Sequence, residues 1–140
     1  MPLLVDTDVF SYIYTGQGRA DEFRPLLRSH LLCMSFASYA EALCLGHRRG
    51  WGPTRMSDLR NALRQYVILP YDEVVAEQWA PMHVRLSGHL HDGGVNDLWT
   101  AACALAQPGP LPIVTNNLVD FRAVAKHFPI TIVHPDSADA

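Results

Sequence analysis

The 140-residue chain is 49% apolar and 18% charged, the makeup of a globular domain long enough to bury its own core rather than of a disordered segment. Its formal net charge of −3 supplies no global basic field, so a polyanionic partner has to be met by a local patch. The three cysteines, Cys33, Cys44 and Cys103, are odd in number and lack C-x-x-C spacing, which argues against a disulfide or zinc framework and for a reducing, cytoplasmic setting.

In chain order, the apolar run Leu3–Val5 reads as a buried strand that stops at Asp6, with Asp8 two residues on. Asp6 also interrupts the N-terminus before a signal h-region forms, so no secretory signal is expected. A second strand, Leu31–Ser35, leads into a helix that carries Glu41. The stretch Leu31 to Gly46 is too short and too polar to span a bilayer, and no membrane association is expected. Met56, Leu59, Leu63 and Tyr66 form one stripe of an amphipathic helix, followed by a strand over Val67–Leu69. Val75, Trp79, Met82 and Leu86 form another stripe, which Pro81 is expected to kink or break. A third stripe, Leu98, Ala101, Ala102 and Leu105, follows Asp97 and ends before Pro108. The strand Leu111–Thr115 precedes Asn117, Asp120 heads a last helix around Phe121–Lys126, and Ile130–Val133 closes the series. Strands alternating with helices predict an α/β fold in three layers, with a central mainly parallel sheet of about five strands flanked by helices. Neither a repeat nor a linker divides the chain, so residues 1–140 read as a single domain.

In open parallel sheets ligands bind outside the carboxyl ends of the strands. Asp6, Glu41, Asp97 and Asn117 all fall at such element ends, although they are far apart in sequence. Each also has a capping role open to it. Ser38-x-x-Glu41 has the form of a capping box, Asn96 or Asp97 can cap the apolar-striped helix, and Asp120 can cap the last one. Capping does not explain why Asp6 ends a core strand, where an uncompensated carboxylate is costly. A joint site for Mg²⁺ or Mn²⁺ does, because carboxylate and amide oxygens suit these ions.

The segments LLVDTDVF, SFASYAEAL, GVNDLWTAACAL and LPIVTNNLVDF, in this order, resemble the PIN-domain ribonucleases, most closely the VapC toxins of bacterial VapBC pairs. The resemblance runs from Leu3 to about Val133. It implies a type II toxin that acts as a metal-dependent endoribonuclease on RNA, often transfer RNA, is neutralised by a VapB-like antitoxin, and forms a homodimer. It places Asp6, Glu41 and Asp97 on the three acidic positions of the PIN site. Asn117 falls on the fourth, often aspartate, with Asp120 as the nearby acid able to substitute. In that reading Asp6 and Asp97 hold Mg²⁺, and Glu41 orients or deprotonates the attacking water or binds a second ion. Asn117 and Thr115 complete the ligands or fix their geometry. An asparagine in place of an acid weakens a second metal. Asp8, where the family commonly has asparagine, is expected to cap the next helix.

For RNA contact the segment HRRGWGPTR offers Arg48, Arg49 and Arg55 around Trp51, able to meet phosphates and stack a base. The same cations can instead complement a helix C-terminus ahead of Gly50, or face an antitoxin. His83, His89, His91 and Asp92 form a rival zinc cluster, weak in its spacing. Cys103, on an apolar helix, reads as core rather than as a nucleophile. The DTDVF segment also invites comparison with haloacid-dehalogenase-like phosphotransferases, but Phe10 stands where Thr or Val belongs and the sole lysine, Lys126, is near the end. The remaining alternatives are a catalytically weak PIN domain that binds RNA or a partner without cutting, and cleavage of single-stranded DNA.

Overall fold

The computed structural model describes residues 1–90 and 94–137. Its core is a five-stranded sheet, β1 (Leu3–Val5), β2 (Leu32–Ser35), β3 (Val67–Leu69), β4 (Ile113–Val114) and β5 (Ile132–Val133). The strand order is β3-β2-β1-β4-β5, and every pairing is parallel. All five expected strands are present. The outer residues of the longer apolar runs, such as Leu111 and Ile130, lie beyond the paired segments and pack against the core instead.

Successive strand residues point to opposite faces, and the sequence fills both. Leu4, Cys33 and Ile113 pack on one face with α5 (Glu73–Leu86), α6 (Gly94–Ala106) and α7 (Leu118–Ala125). Leu3, Val5, Met34 and Val114 pack on the other with α1 (Thr7–Thr15), α2 (Ala20–Leu27), α3 (Phe36–Arg48) and α4 (Pro53–Leu63). The result is the expected three-layer α/β arrangement. In α6 the apolar surface is wider than one stripe, since Leu98 and the run Ala101–Ala104 are all buried. Small residues there allow close packing against α5 and α3.

Two local features differ from expectation. Helix α5 continues through Pro81. Pro81 and Glu77, whose carbonyl the missing N–H would have met, both lie on the exposed side, where water can serve that carbonyl. Helix α2 is an element that Gly16, Gly18 and Pro25 hide in the sequence. Its Ala20, Phe23 and Leu27 are buried at helical spacing.

The chain runs from β1 outward through β2 to β3, then returns past β1 to build β4 and β5 on the other side. This reversal makes the carboxyl ends of β1 and β4 a switch point, where the connections diverge and leave a crevice. Asp6 follows β1 and Thr115 follows β4.

Candidate active site

Asp6 is only 5% exposed. Its Oδ1 accepts from the Thr7 N–H at 2.8 Å and its Oδ2 from the Thr115 hydroxyl at 2.8 Å. The Ser38 hydroxyl lies 3.5 Å from Oδ1. Behind it, buried hydroxyls form a connected set: Thr100 Oγ1 is 2.9 Å from Ser35 Oγ and 3.2 Å from Ser38 Oγ. These groups compensate the buried carboxylate in part. Burial still dominates, and with the nearby Glu41 charge it pushes the Asp6 carboxyl up to about 6.

Glu41 is brought beside Asp6 by the pairing of α3 with α1. The Thr7 hydroxyl donates to Glu41 Oε1 at 3.0 Å. The capping box that Ser38-x-x-Glu41 offered as the alternative for Glu41 is not formed. Ser35 is the N-cap of α3, accepting from the Ser38 N–H at 3.0 Å, so Glu41 sits in the second turn and is spared for the crevice.

Asp97 lies in the first turn of α6. It is pushed up to about 8, first by burial, then by the charges of Asp6, Asp120 and Glu41 and by a hydrogen bond with Asp120. Four acids from β1, α3, α6 and α7 therefore share one field. Asn117 is the N-cap of α7, its Oδ1 accepting from the Asp120 N–H at 3.3 Å. Its amide nitrogen donates to Asp97 Oδ2 and Asp120 Oδ2, each at 3.0 Å. The N–H of Asp120 needs an acceptor, which fixes the orientation of the amide. As placed, Asn117 holds two carboxylates together and presents them a donor. Thr115 works in the same way, since its Oγ1 accepts from the Asn117 N–H at 3.0 Å while donating to Asp6.

The cap of α1 is Asp6 rather than Asp8. Asp8 falls one residue inside the helix because the strand hands over to the helix directly. Its carboxylate accepts from the Val9 N–H at 2.7 Å and the Asn116 N–H at 3.1 Å, tying α1 to the loop after β4. Burial and the Asp6 charge push it up to about 7. Asn116 extends this link: its Nδ2 donates to the Tyr12 hydroxyl at 3.0 Å, and its Oδ1 accepts from Arg19 at 3.0 Å. Buried His134 accepts from the Asp136 N–H at Nδ1, so its Nε2 carries the proton and donates to Asn116 Oδ1 at 3.2 Å. Sequence reasoning missed Thr7, Ser35, Ser38, Thr100, Arg19, Asn116 and His134 as supports. Thr100, one helical turn from Asp97, is the one that spacing alone could have raised.

The donor set is oxygen throughout, as Mg²⁺ or Mn²⁺ would require. Among the described residues no three His, Cys, Asp or Glu side chains are placed closely enough together to hold a metal ion. The arrangement is thus an open acidic crevice whose acids are held by hydroxyls and one amide. His91 and Asp92 of the rival zinc cluster lie outside the described residues. His83 is stacked on Trp79, with centroids 4.5 Å apart. Cys103 is buried core, as expected. Around Trp51 the structure brings Arg49 and Arg55 together, while Arg48 is an exposed residue in the last turn of α3.

The sequence matches the family model described as PIN domain over residues 3–127. No curated protein matches it. Solved structures share its fold at low identity. VapBC-1 from nontypeable Haemophilus influenzae is 19% identical with a TM-score of 0.73, covering 97% of this chain and 99% of that one. FitAcB from Neisseria gonorrhoeae is 23% identical with a TM-score of 0.72, covering 96% and 98%. VapBC-5 from Mycobacterium tuberculosis, described as a member of the VapBC family of toxin–antitoxin systems, is 24% identical with a TM-score of 0.66, covering 95% and 98%. With its four acids meeting at the switch point of a parallel sheet and the family model spanning nearly its whole length, the chain belongs to the PIN domain family.

Proposed function

We propose that this PIN domain is the VapC-type toxin of a type II toxin–antitoxin pair and hydrolyses RNA phosphodiester bonds, with transfer RNA as a candidate target. The observation that carries the reading is the hydrogen-bonded chain that joins three carboxylates from separate elements, Glu41 to Asp6 through Thr7 and Asp6 to Asp97 through Thr115 and Asn117. A fold that only needed helix caps would not hold buried like charges together at a cost in stability.

In their chemistry, oxygen donors throughout, the residues present suit a hard divalent cation. Asp6, Asp97 and Glu41 would hold it, with Asn117 and Thr115 fixing the carboxylates as described above. When bound, Mg²⁺ or Mn²⁺ supplies a water of lowered pKa and a Lewis acid for the phosphate. Glu41, half-buried and free of a capping duty, is the residue placed to orient or accept a proton from the attacking water, with the Thr7 hydroxyl holding its Oε1. Asp6 is locked by Thr115 and Thr7, which suits a ligand rather than a mobile base.

The partners follow the same reading. An apolar groove of about 360 Å³ between α1 and α4, lined by Phe10, Ile13, Tyr14, Leu32, Ala62 and Tyr66, suits an apolar segment of a VapB-like antitoxin. At the sheet edge, Val67, Tyr71 and Val74 are exposed together around β3 and the start of α5, which favours a homodimer contact. Among the described residues no helix is long and apolar enough to cross a membrane, and all three cysteines are free, which fits action in the cytoplasm.

Purified protein incubated with total RNA tests the proposal. Discrete fragments should appear with Mg²⁺ or Mn²⁺ and vanish with EDTA or in Asp6→Ala. RNA binding without metal-dependent fragments would instead make the chain a binding module. Cleavage of single-stranded DNA alone would move the substrate class.

A further inference from the structure

Helix α3 ends in a left-handed turn that sequence alone makes legible only in part. Gly50 has φ +65°, its N–H donates to the His47 carbonyl at 3.2 Å, and the Trp51 N–H donates to the Gly46 carbonyl at 3.0 Å. This pattern is a Schellman motif, which brings the residue after the glycine back onto the helix. Trp51 packs so closely there that a Cβ on Gly46 would lie 2.9 Å from its ring. The indole is therefore fixed by backbone geometry.

Around it the chain assembles a basic, aromatic wall. The Arg55 guanidinium carbon is 4.2 Å from the Trp51 ring centroid and that of Arg49 is 6.0 Å away. Tyr14, in the last turn of α1, has its ring centroid 6.3 Å from that of Trp51. With Gln17, Thr54 and Asp58 these residues line an open groove of about 570 Å³. Complementing a helix dipole does not explain Arg55. It stands in the first turn of α4, where a cation is disfavoured. The groove's one acid, Asp58, is engaged by the Tyr14 hydroxyl, so two arginines outweigh it in a chain whose net charge is −3.

The groove is also aligned with the acids. Thr7 in the first turn of α1 touches Glu41 on α3, and Tyr14 at the other end of α1 faces Trp51 just past α3. Helices α1 and α3 thus run side by side from the acidic crevice to the groove, about two turns or ~10 Å away. A single strand of RNA crosses that span within a few nucleotides.

We infer that this groove is a second RNA subsite, in which Arg49 and Arg55 pair a phosphate and the Trp51–Tyr14 wall takes a base a few nucleotides from the bond that is cut. The inference rests on the nuclease reading above for its choice of ligand. Arginine pairs phosphate well, and both aromatic rings and guanidinium planes stack bases without demanding a sequence. Gln17 and Thr54 add polar atoms at the groove wall. The subsite would set register and affinity and leave the chemistry to the acids.

The test compares the full chain with Arg49→Gln/Arg55→Gln, using a fluorescent single-stranded RNA long enough to reach both regions and a dinucleotide that reaches only the acids. Binding is read by anisotropy in EDTA and cleavage in Mg²⁺. The long RNA should bind the variant roughly 10-fold or more weakly, with a salt slope shallower by about 0.7 for the one lost phosphate. KM for the long RNA should rise with little change in kcat, and this defect should shrink on the dinucleotide. Wild-type affinity and KM in the variant would overturn the subsite while leaving the nuclease reading intact. A wild type that binds RNA through these arginines but never cuts would sink the nuclease reading and keep the subsite. Loss of binding to a protein partner with RNA affinity unchanged would assign the groove to that partner and overturn the inference.

Discussion

The two ends of the α1–α3 pair carry opposite chemistry, built by opposite means. At the sheet end, Asp6, Glu41 and Asp97 sit in a crevice where burial and mutual repulsion raise Asp6 and Asp97. The supports there include short polar contacts between residues distant in sequence, Thr7 to Glu41, Thr115 to Asp6 and Asn117 to Asp97. At the far end, Arg49 and Arg55 are exposed and Trp51 is positioned by a local turn that closes from Trp51 back to Gly46. Buried like charges cost folding free energy and call for a counter-ion, whereas exposed arginines cost little and give modest affinity. On the proposed function, chemistry belongs at the first end and grip at the second, and changes at the two ends should separate.

The largest effect is expected from Asp97→Asn. RNA cleavage should fall on the order of 10²–10³-fold or more, the scale of losing one group that stabilises developing charge. Stability should move the other way. Asp97 has a folded-state pKa near 8, above its ordinary 3.8, so the folded protein holds a proton that the unfolded chain releases. Its contribution is fully present below about pH 4 and is lost as pH rises through 8. Asp6 and Asp8 shift in the same direction. Metal-free protein should therefore melt at a lower temperature at pH 8 than at pH 5, and Mg²⁺ should recover more of the loss at pH 8. Asp97→Asn should flatten this slope and leave the metal-free Tm at pH 8 equal or higher, by a few degrees for about 1 kcal/mol. Thermal melts across pH, with and without Mg²⁺, check this. Unfolding of Asp97→Asn under all conditions would make the residue structural.

An intermediate effect is expected from Thr115→Val. The Thr115 hydroxyl bridges Asp6 Oδ2 and the Asn117 N–H, so its loss loosens both without removing an acid. Activity and Mg²⁺ affinity should drop about 10–100-fold, the usual scale for a residue that orients metal ligands. Thr115→Ser should restore most of it, as titration of activity against Mg²⁺ would register. Equal damage from Val and Ser would point to packing of the methyl group rather than to the hydroxyl.

What the sequence made legible divides along the same line. The strands were readable because apolar runs of three to five residues bounded by polar ones have few other uses, and the three-layer fold follows from their alternation with helices. The acids were visible as carboxylates at element ends, but their capping alternatives were equally readable. Only the tertiary fold shows that Ser35 takes the cap of α3, releasing Glu41, and that Asp6 caps α1 in place of Asp8. Thr7, Thr100 and Asn116 support the site through contacts spanning 31 to 108 positions, for which no periodicity gives a signal. Asn117 illustrates the point: its residue type suggested a neutral oxygen ligand, whereas the backbone of α7 claims that oxygen and turns the amide nitrogen toward the acids. Helix α2 was hidden because glycines and a proline outweighed an apolar spacing of only three residues.

The smallest effect, and the finest probe of the separation, is Gly46→Ala. Gly46 is helical, so alanine meets no backbone penalty and by propensity alone would stabilise α3 by about 1 kcal/mol. Its Cβ, however, would lie 2.3 Å from Met56 Sδ and 2.9 Å from the Trp51 ring. Met56 is buried and has little room to retreat, so overpacking should cost about 1–3 kcal/mol and leave a net loss of up to a few degrees in Tm. The strain falls on the groove and not on the crevice, because Glu41 lies more than one turn away on α3 and is anchored through Thr7. Affinity for a long single-stranded RNA should weaken severalfold while dinucleotide cleavage keeps its wild-type kcat. A matching fall in dinucleotide kcat would mean that α3 transmits the shift, and that the two ends of the helix pair are not independent.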